Sequence, residues 1–200
     1  MEGMDSQGPP EVIFVIRHAE KPEGPHQPPF GVNKDGVQDH HSLWPVGWVR
    51  AGALTALFAP ADGHFRTGIH APTVLRSNWY GDKKTTAEHR SYETIHPLSR
   101  RLGLKIESTT EAGNEKRLIE DILADDSGAT IVCWEHSRIP ALACHIPTAP
   151  GTVIPSRWPD DRYDIIWSFR RQRDEPSPRY AFTQLPQMLL AGDKDTVIDS

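Results

Sequence analysis

Two stretches constrain the architecture of this chain more than any other feature. Val12-Ile13-Phe14-Val15-Ile16 and Ala129-Thr130-Ile131-Val132-Cys133-Trp134 are nearly continuous runs of β-branched and aromatic residues. They show none of the polar alternation of a half-solvated strand. Such runs suit strands covered on both faces, as inside a parallel sheet. Both are therefore expected as neighbouring parallel strands in the middle of one sheet. Helical spacing appears around them. Val46, Val49, Ala53, Leu54, Leu57 and Phe58 line one helical face that Pro60 ends. Ser91 to Leu102 puts Tyr92, Ile95, Leu98 and Leu102 on one face, with Pro97 as a kink and Gly103 as C-cap. Leu118, Ile119, Ile122 and Leu123 mark a third helix over 114–123, and Ile139 to Ile146 a short fourth one. Thr73–Leu75 and Leu104–Ile106 are short strand candidates, and Tyr163–Phe169 with Arg179–Thr183 form a late pair. Strands alternating with helices specify an α/β layered domain with a mainly parallel sheet.

Length and charge narrow the function classes. At 200 residues with 37% apolar residues the chain suits one domain over 11–200, preceded by a loose polar tail over 1–10. A net charge of −5 argues against nucleic acid held by bulk charge, but not against small anions held by a few arginines. No run approaches the roughly 20 apolar residues of a membrane helix. No basic segment precedes an apolar stretch near Met1, so the expectation is a cytoplasmic protein without a membrane partner. Two cysteines exclude a disulfide scaffold, and Cys133 and Cys144 are both expected as buried thiols. Proline clusters at 22–29, 147–159 and 176–186 indicate loops.

Both strong strands end in charge: Arg17, His18 and Glu20 after the first, Glu135, His136 and Arg138 after the second. In parallel sheets, sites form beyond the carboxyl ends of the strands. An Arg beside a His can bind an oxyanion next to a nucleophilic imidazole. Taken alone, Arg17-His18 reads equally as a salt-bridged strand end. His136 at the end of the other strand tips the reading, because two histidines can converge on one pocket. One can then attack phosphorus while the other donates to the phosphoryl oxygens.

At these positions the chain resembles the histidine phosphatase superfamily. Ile16-Arg17-His18-Ala19-Glu20-Lys21-Pro22 is similar to its Arg-His-Gly signature, in the variant with Ala for Gly and Glu-Lys-Pro following. Gly47-Trp48-Val49-Arg50-Ala51 is similar to its Gly-x-x-Arg-Ala helix, and Arg90-Ser-Tyr-Glu-Thr94 to its Arg-x-x-x-Thr segment. Trp134-Glu135-His136-Ser137-Arg138 is similar to the second-histidine segment. The resemblance implies a phosphoglycerate-mutase-like three-layer sandwich, a central sheet flanked by helices. It implies His18 as a nucleophile forming a transient phosphohistidine, with Arg17, Arg90 and His136 binding the phosphoryl oxygens. No cofactor and no metal are implied. Phosphoryl transfer spreads charge over the equatorial oxygens, which a preorganised Arg and His cage stabilises.

A carboxylic acid in such enzymes protonates the leaving oxygen. Glu107, Glu111 and Glu115 lie in the corresponding interval, Glu111 best placed by order; all three also read as a solvated acidic stretch. Ser137 after the second His disfavours the subtype that has Asp there, and Glu135 is expected beside the site rather than in it. Asp39-His40-His41 reads as a solvated or rim loop rather than a metal site. Arg50 either reaches the site or anchors its helix, and Glu20 is a candidate for orienting pocket arginines. Trp44, Trp48, Trp134, Trp158 and Trp167 read as core, and Arg170, Arg171 and Arg173 as a solvated basic cluster. Residues 22–45 and 147–161 are expected to form the rim. The reading is a phosphatase acting on a small phosphorylated metabolite. A phosphotransferase or mutase on the same site, and a weakly catalytic phospho-ligand binding module, remain alternatives.

Overall fold

The computed structural model describes residues 8–24, 27–79, 89–173 and 177–199. Six strands form one sheet: β1 (Val12–Arg17), β2 (Val74–Asn78), β3 (Ile106–Thr110), β4 (Ala129–Trp134), β5 (Ile165–Gln172) and β6 (Arg179–Pro186). Their order across the sheet is β3-β2-β4-β1-β5-β6. The two apolar runs lie side by side and parallel, Val12 opposite Ala129 and Arg17 opposite Trp134. β2 and β3 continue the parallel half, and β5 and β6 add an antiparallel edge.

Side-chain alternation along β1 explains its unbroken apolarity. Val12, Phe14 and Ile16 pack with Leu54, Leu57 and Phe58 of α1 (Pro45–Phe58) and Ile95 and Leu98 of α2 (His89–Leu102). Ile13 and Val15 face the other way, onto Leu118, Ile119 and Ile122 of α3 (Glu115–Asp125) and Ile139 and Leu142 of α4 (Ile139–Ala143). Helices thus cover both faces and give the three-layer sandwich. Trp134, Trp158 and Trp167 are fully buried, while Trp44 and Trp48 are only partly so.

Several boundaries differ from expectation for identifiable reasons. On α1 the buried face runs through Gly47, Arg50, Ala51 and Leu54, and Val49 is 58% exposed. Gly47 sets this rotation: a Cβ there would lie 2.4 Å from the Glu20 carbonyl oxygen. β2 extends into polar Arg76, Ser77 and Asn78, all buried, because Arg76 is paired with Asp126. β3 starts two residues later than Leu104. Pro97 sits inside α2, and Gly103 ends that helix at φ 68°. Cys133 is buried as expected, but Cys144 is exposed: it follows the last turn of the short α4 and faces solvent. Of the expected tail, residues 1–7 lie outside the described residues. Pro10 is buried, its carbonyl accepting the Tyr180 hydroxyl at 2.8 Å. No helix of the described residues is long and apolar enough to cross a membrane.

Candidate active site

The site follows from the β1–β4 register. Arg17 is the last residue of β1, and the His18 amide donates to the Trp134 carbonyl at 3.1 Å. That bond sets His18 beside the start of the 3-10 turn His136–Arg138, which follows β4. The two imidazoles stand edge to face, ring centroids 5.9 Å apart. α2 brings in the third member. Thr94 accepts the Ala19 amide on Oγ1 at 2.8 Å and donates to the Arg90 carbonyl at 2.7 Å. Arg90 and Thr94 are four residues apart and share a helix face, so one helix both clamps the backbone after His18 and delivers Arg90. The methyl of Ala19 is fully buried against Leu43 and Ala51, so this site accommodates the Gly-to-Ala change by packing.

His18 is 5% exposed, and its Nδ1–H is directed at the Ala19 carbonyl, 2.7 Å away. That contact leaves the Nε2 lone pair to react. Burial, then the nearby charges of Arg17, Arg90 and His136, hold its pKa well below the ordinary histidine range. His18 is therefore neutral at pH 7.

Arg17 is 2% exposed and locked in place. Its Nη1 donates to the carbonyls of Asp160 at 2.8 Å and Pro159 at 3.2 Å, and the Tyr163 ring lies 3.8 Å beneath the guanidinium carbon. The opposite edge, Nε with Nη2, is buried and has no partner among the described residues. That edge is a two-donor fork, the geometry that matches two oxygens of a phosphoryl group. Arg90 Nη2 is held by the His40 carbonyl at 3.0 Å, while its Nε is likewise buried and unpartnered. His136 bonds the Asp160 carboxylate through Nε2 at 2.9 Å, and its Nδ1 is buried without a partner. Lys21 adds a third cation beside the two arginines; burial and the charges of Arg90 and Arg17 lower its pKa.

The four residues Arg17, His18, Arg90 and His136 are thus gathered at one place. Glu111 is not among their contacts. It is exposed in the turn after β3, an edge strand three positions from β1, and its side chain makes no hydrogen bond or ion pair among the described residues. Glu107 lies opposite Arg76 on β2. Glu115 is buried under the Gly113 amide and Trp134 Nε1. Glu135 accepts from Ser137. Glu20 and Arg50 pair with each other, and Arg50 also binds Asp193 and Gln187, so Arg50 is an anchor rather than a ligand. The Asp39-His40-His41 loop serves the rim. Asp39 accepts from Ser42 and the His41 amide and contacts His89, and buried Glu93 of α2 accepts from Ser42 and the Leu43 amide. Among the described residues no three His, Cys, Asp or Glu side chains are grouped to hold a metal ion. Tyr163 escaped sequence reasoning, and Asp160 lies in the 147–161 stretch expected at the rim but was not singled out. Tyr163 reads as strand, and Asp160 meets His136 only across 24 positions and a proline-rich loop.

No family model matches the sequence, and no curated protein matches it. Among solved structures, the chain is similar to the protein histidine phosphatase SixA, determined in complex with tungstate. The likeness covers 88% of this chain and 97% of that one, with a TM-score of 0.53 and 12% identity. The chain has the fold of the histidine phosphatases. At that identity the likeness speaks for the fold; the chemistry rests on the side chains just described.

Proposed function

We propose that this chain is a metal-independent phosphatase that hydrolyses a small phosphorylated metabolite through a phosphohistidine on His18. One observation carries the reading. A neutral, oriented imidazole is surrounded by buried nitrogens of Arg17, Arg90 and His136 that have no partner among the described residues. Unpaired buried donors cost about 1–3 kcal/mol each, so their grouping around one nucleophile argues for an anion they are built to meet. A phosphoryl group offers the required oxygens. His18 Nε2 attacks phosphorus, Arg17 and Arg90 stabilise the equatorial charge, and water then cleaves the phosphohistidine.

Brief exposure to a labelled phosphomonoester should give an acid-labile, base-stable adduct on His18. Turnover should be unchanged by EDTA. A panel of phosphorylated metabolites with released phosphate as readout identifies the substrate. A phosphohistidine peptide belongs in that panel, because SixA is described as a protein histidine phosphatase. Phosphate binding without label or turnover on any member would replace this reading with a phospho-ligand binding module.

A further inference from the structure

Within that phosphatase reading, we propose that His136, backed by Asp160, donates the proton to the departing oxygen, the task a carboxylic acid performs in related chemistry. The arrangement has three parts. Among the described residues Asp160 is the carboxylate bonded to a member of the cage: Glu111 is exposed and uncommitted, while Glu20, Glu107, Glu115 and Glu135 face other partners. The contact is at Nε2, so the carboxylate accepts Nε2–H, and the position left for the proton that the imidazolium would give up is Nδ1. Nδ1 is the buried nitrogen without a partner among the described residues. Finally, depth orders the groups. Arg17 and His18 are 2% and 5% exposed, whereas the Asp160 side chain is 79% exposed. The His136 side chain, 14% exposed, is intermediate between them, which places it along the way from the cage to solvent.

The proton and electron pairs balance with substrate and water alone. The lone pair of His18 Nε2 forms the N–P bond as the P–O ester bond breaks. The departing oxygen keeps that bond's electron pair and takes the Nδ1 proton of His136, leaving as an alcohol. His136 is then neutral and still donates Nε2–H to Asp160. In the second step water attacks phosphorus and its proton goes to His136 Nδ1. The N–P pair returns to His18, and inorganic phosphate leaves.

Four charged or titratable groups act on His136. Arg17 and His18 face it from the end of β1, Lys21 from the segment after, and Asp160 from the loop before β5. Burial first, then Arg17 and Lys21, lower the His136 pKa below the ordinary histidine value against the opposing pull of Asp160, so the donating imidazolium forms when the phosphoryl dianion enters the cage. Asp160→Asn keeps an oxygen to accept Nε2–H but removes the charge; Asp160→Ala removes both. With its exposed side chain neither change disturbs the core.

The experiment uses the full chain and rapid-quench measurement of phosphoenzyme formation with two probes, a simple alkyl phosphate and p-nitrophenyl phosphate. Asp160→Asn should slow formation from the alkyl phosphate about tenfold or more and from the aryl phosphate less than about twofold, since a good leaving group needs no proton. The alkaline limb of the alkyl pH–rate profile should move to lower pH, because the imidazolium has lost its counter-charge. Equal slowing of both probes, or of neither, overturns the proposal, as does a selective alkyl defect in Glu111→Gln with Asp160→Asn normal. If wild-type protein forms no adduct on His18 with either probe, the phosphatase reading itself fails.

Discussion

At the scale of single residues, burial and partners assign each side chain a separable task. His18 is held neutral by burial and by neighbouring cations, and this has a consequence for stability as well as for reactivity. A histidine whose folded pKa is depressed contributes nothing above its unfolded value near 6.5. As pH falls below about 6.5 the unfolded chain takes a proton that the folded one refuses, so stability is lost toward the folded pKa. His18→Asn should therefore lessen the fall in thermal midpoint between pH 7 and pH 5, read by circular dichroism. His18→Ala should abolish adduct and turnover while leaving the fold intact, because the residue follows β1 at its carboxyl end and lies outside the apolar clusters that join sheet and helices. Phosphate binding, read by calorimetry, should weaken but persist through Arg17 and Arg90. Arg17→Lys retains the charge but not the two-donor edge. Its turnover should fall about 100-fold or more, the usual effect of removing a donor from a preorganised oxyanion cage.

At the scale of elements, α2 is the part whose sequence spacing and site role coincide. Thr94 ties the Ala19 amide to the helix that carries Arg90, so nucleophile and phosphate ligand move together. Thr94→Val should leave the buried Ala19 amide unpaired, costing about 1–3 kcal/mol in urea unfolding, and should lower turnover as well. Thr94→Ser should restore both. The loop of residues 31–44 is the second such element. Glu93 and Asp39 pin it to α2, and its His40 carbonyl holds Arg90. The Arg-x-x-x-Thr segment was named by its resemblance to the family motif, and the structure shows that its two residues lie one helical turn apart. The helix face of α1 was only partly readable: the backbone contact at Gly47, rather than the apolar pattern, decides which side is buried.

For the whole molecule, the C-terminal segment is tied to the site through Arg50. This arginine is 4% exposed and joins Glu20, two residues after His18, to Asp193, whose carboxylate also accepts the Leu189 and Leu190 amides. Arg50→Met should leave two carboxylates poorly satisfied, at a cost of about 3–5 kcal/mol. It should also increase proteolytic cleavage near 187–195, while Asp62→Asn, at an exposed position, should do neither.

The layered α/β class and the central pair β1 and β4 were determined by sequence alone, because a strand apolar on both faces has few places to go. Arg17, His18 and His136 each carried a local signal at a strand end, whereas Arg90 was named through the resemblance of its segment to the Arg-x-x-x-Thr motif. Tertiary structure alone decided the rest. Asp160 and Tyr163 join the site because the loop before β5 folds over β1, a contact without local periodicity to announce it. Glu111 was chosen by order along the chain, but it follows an edge strand, and order does not encode how many strands intervene. Cys144 was read as buried from its apolar neighbours, yet a helix as short as α4 turns one side to solvent whatever its composition. Pattern reports which residues leave water; only the packed sheet determines which of the remaining polar groups meet.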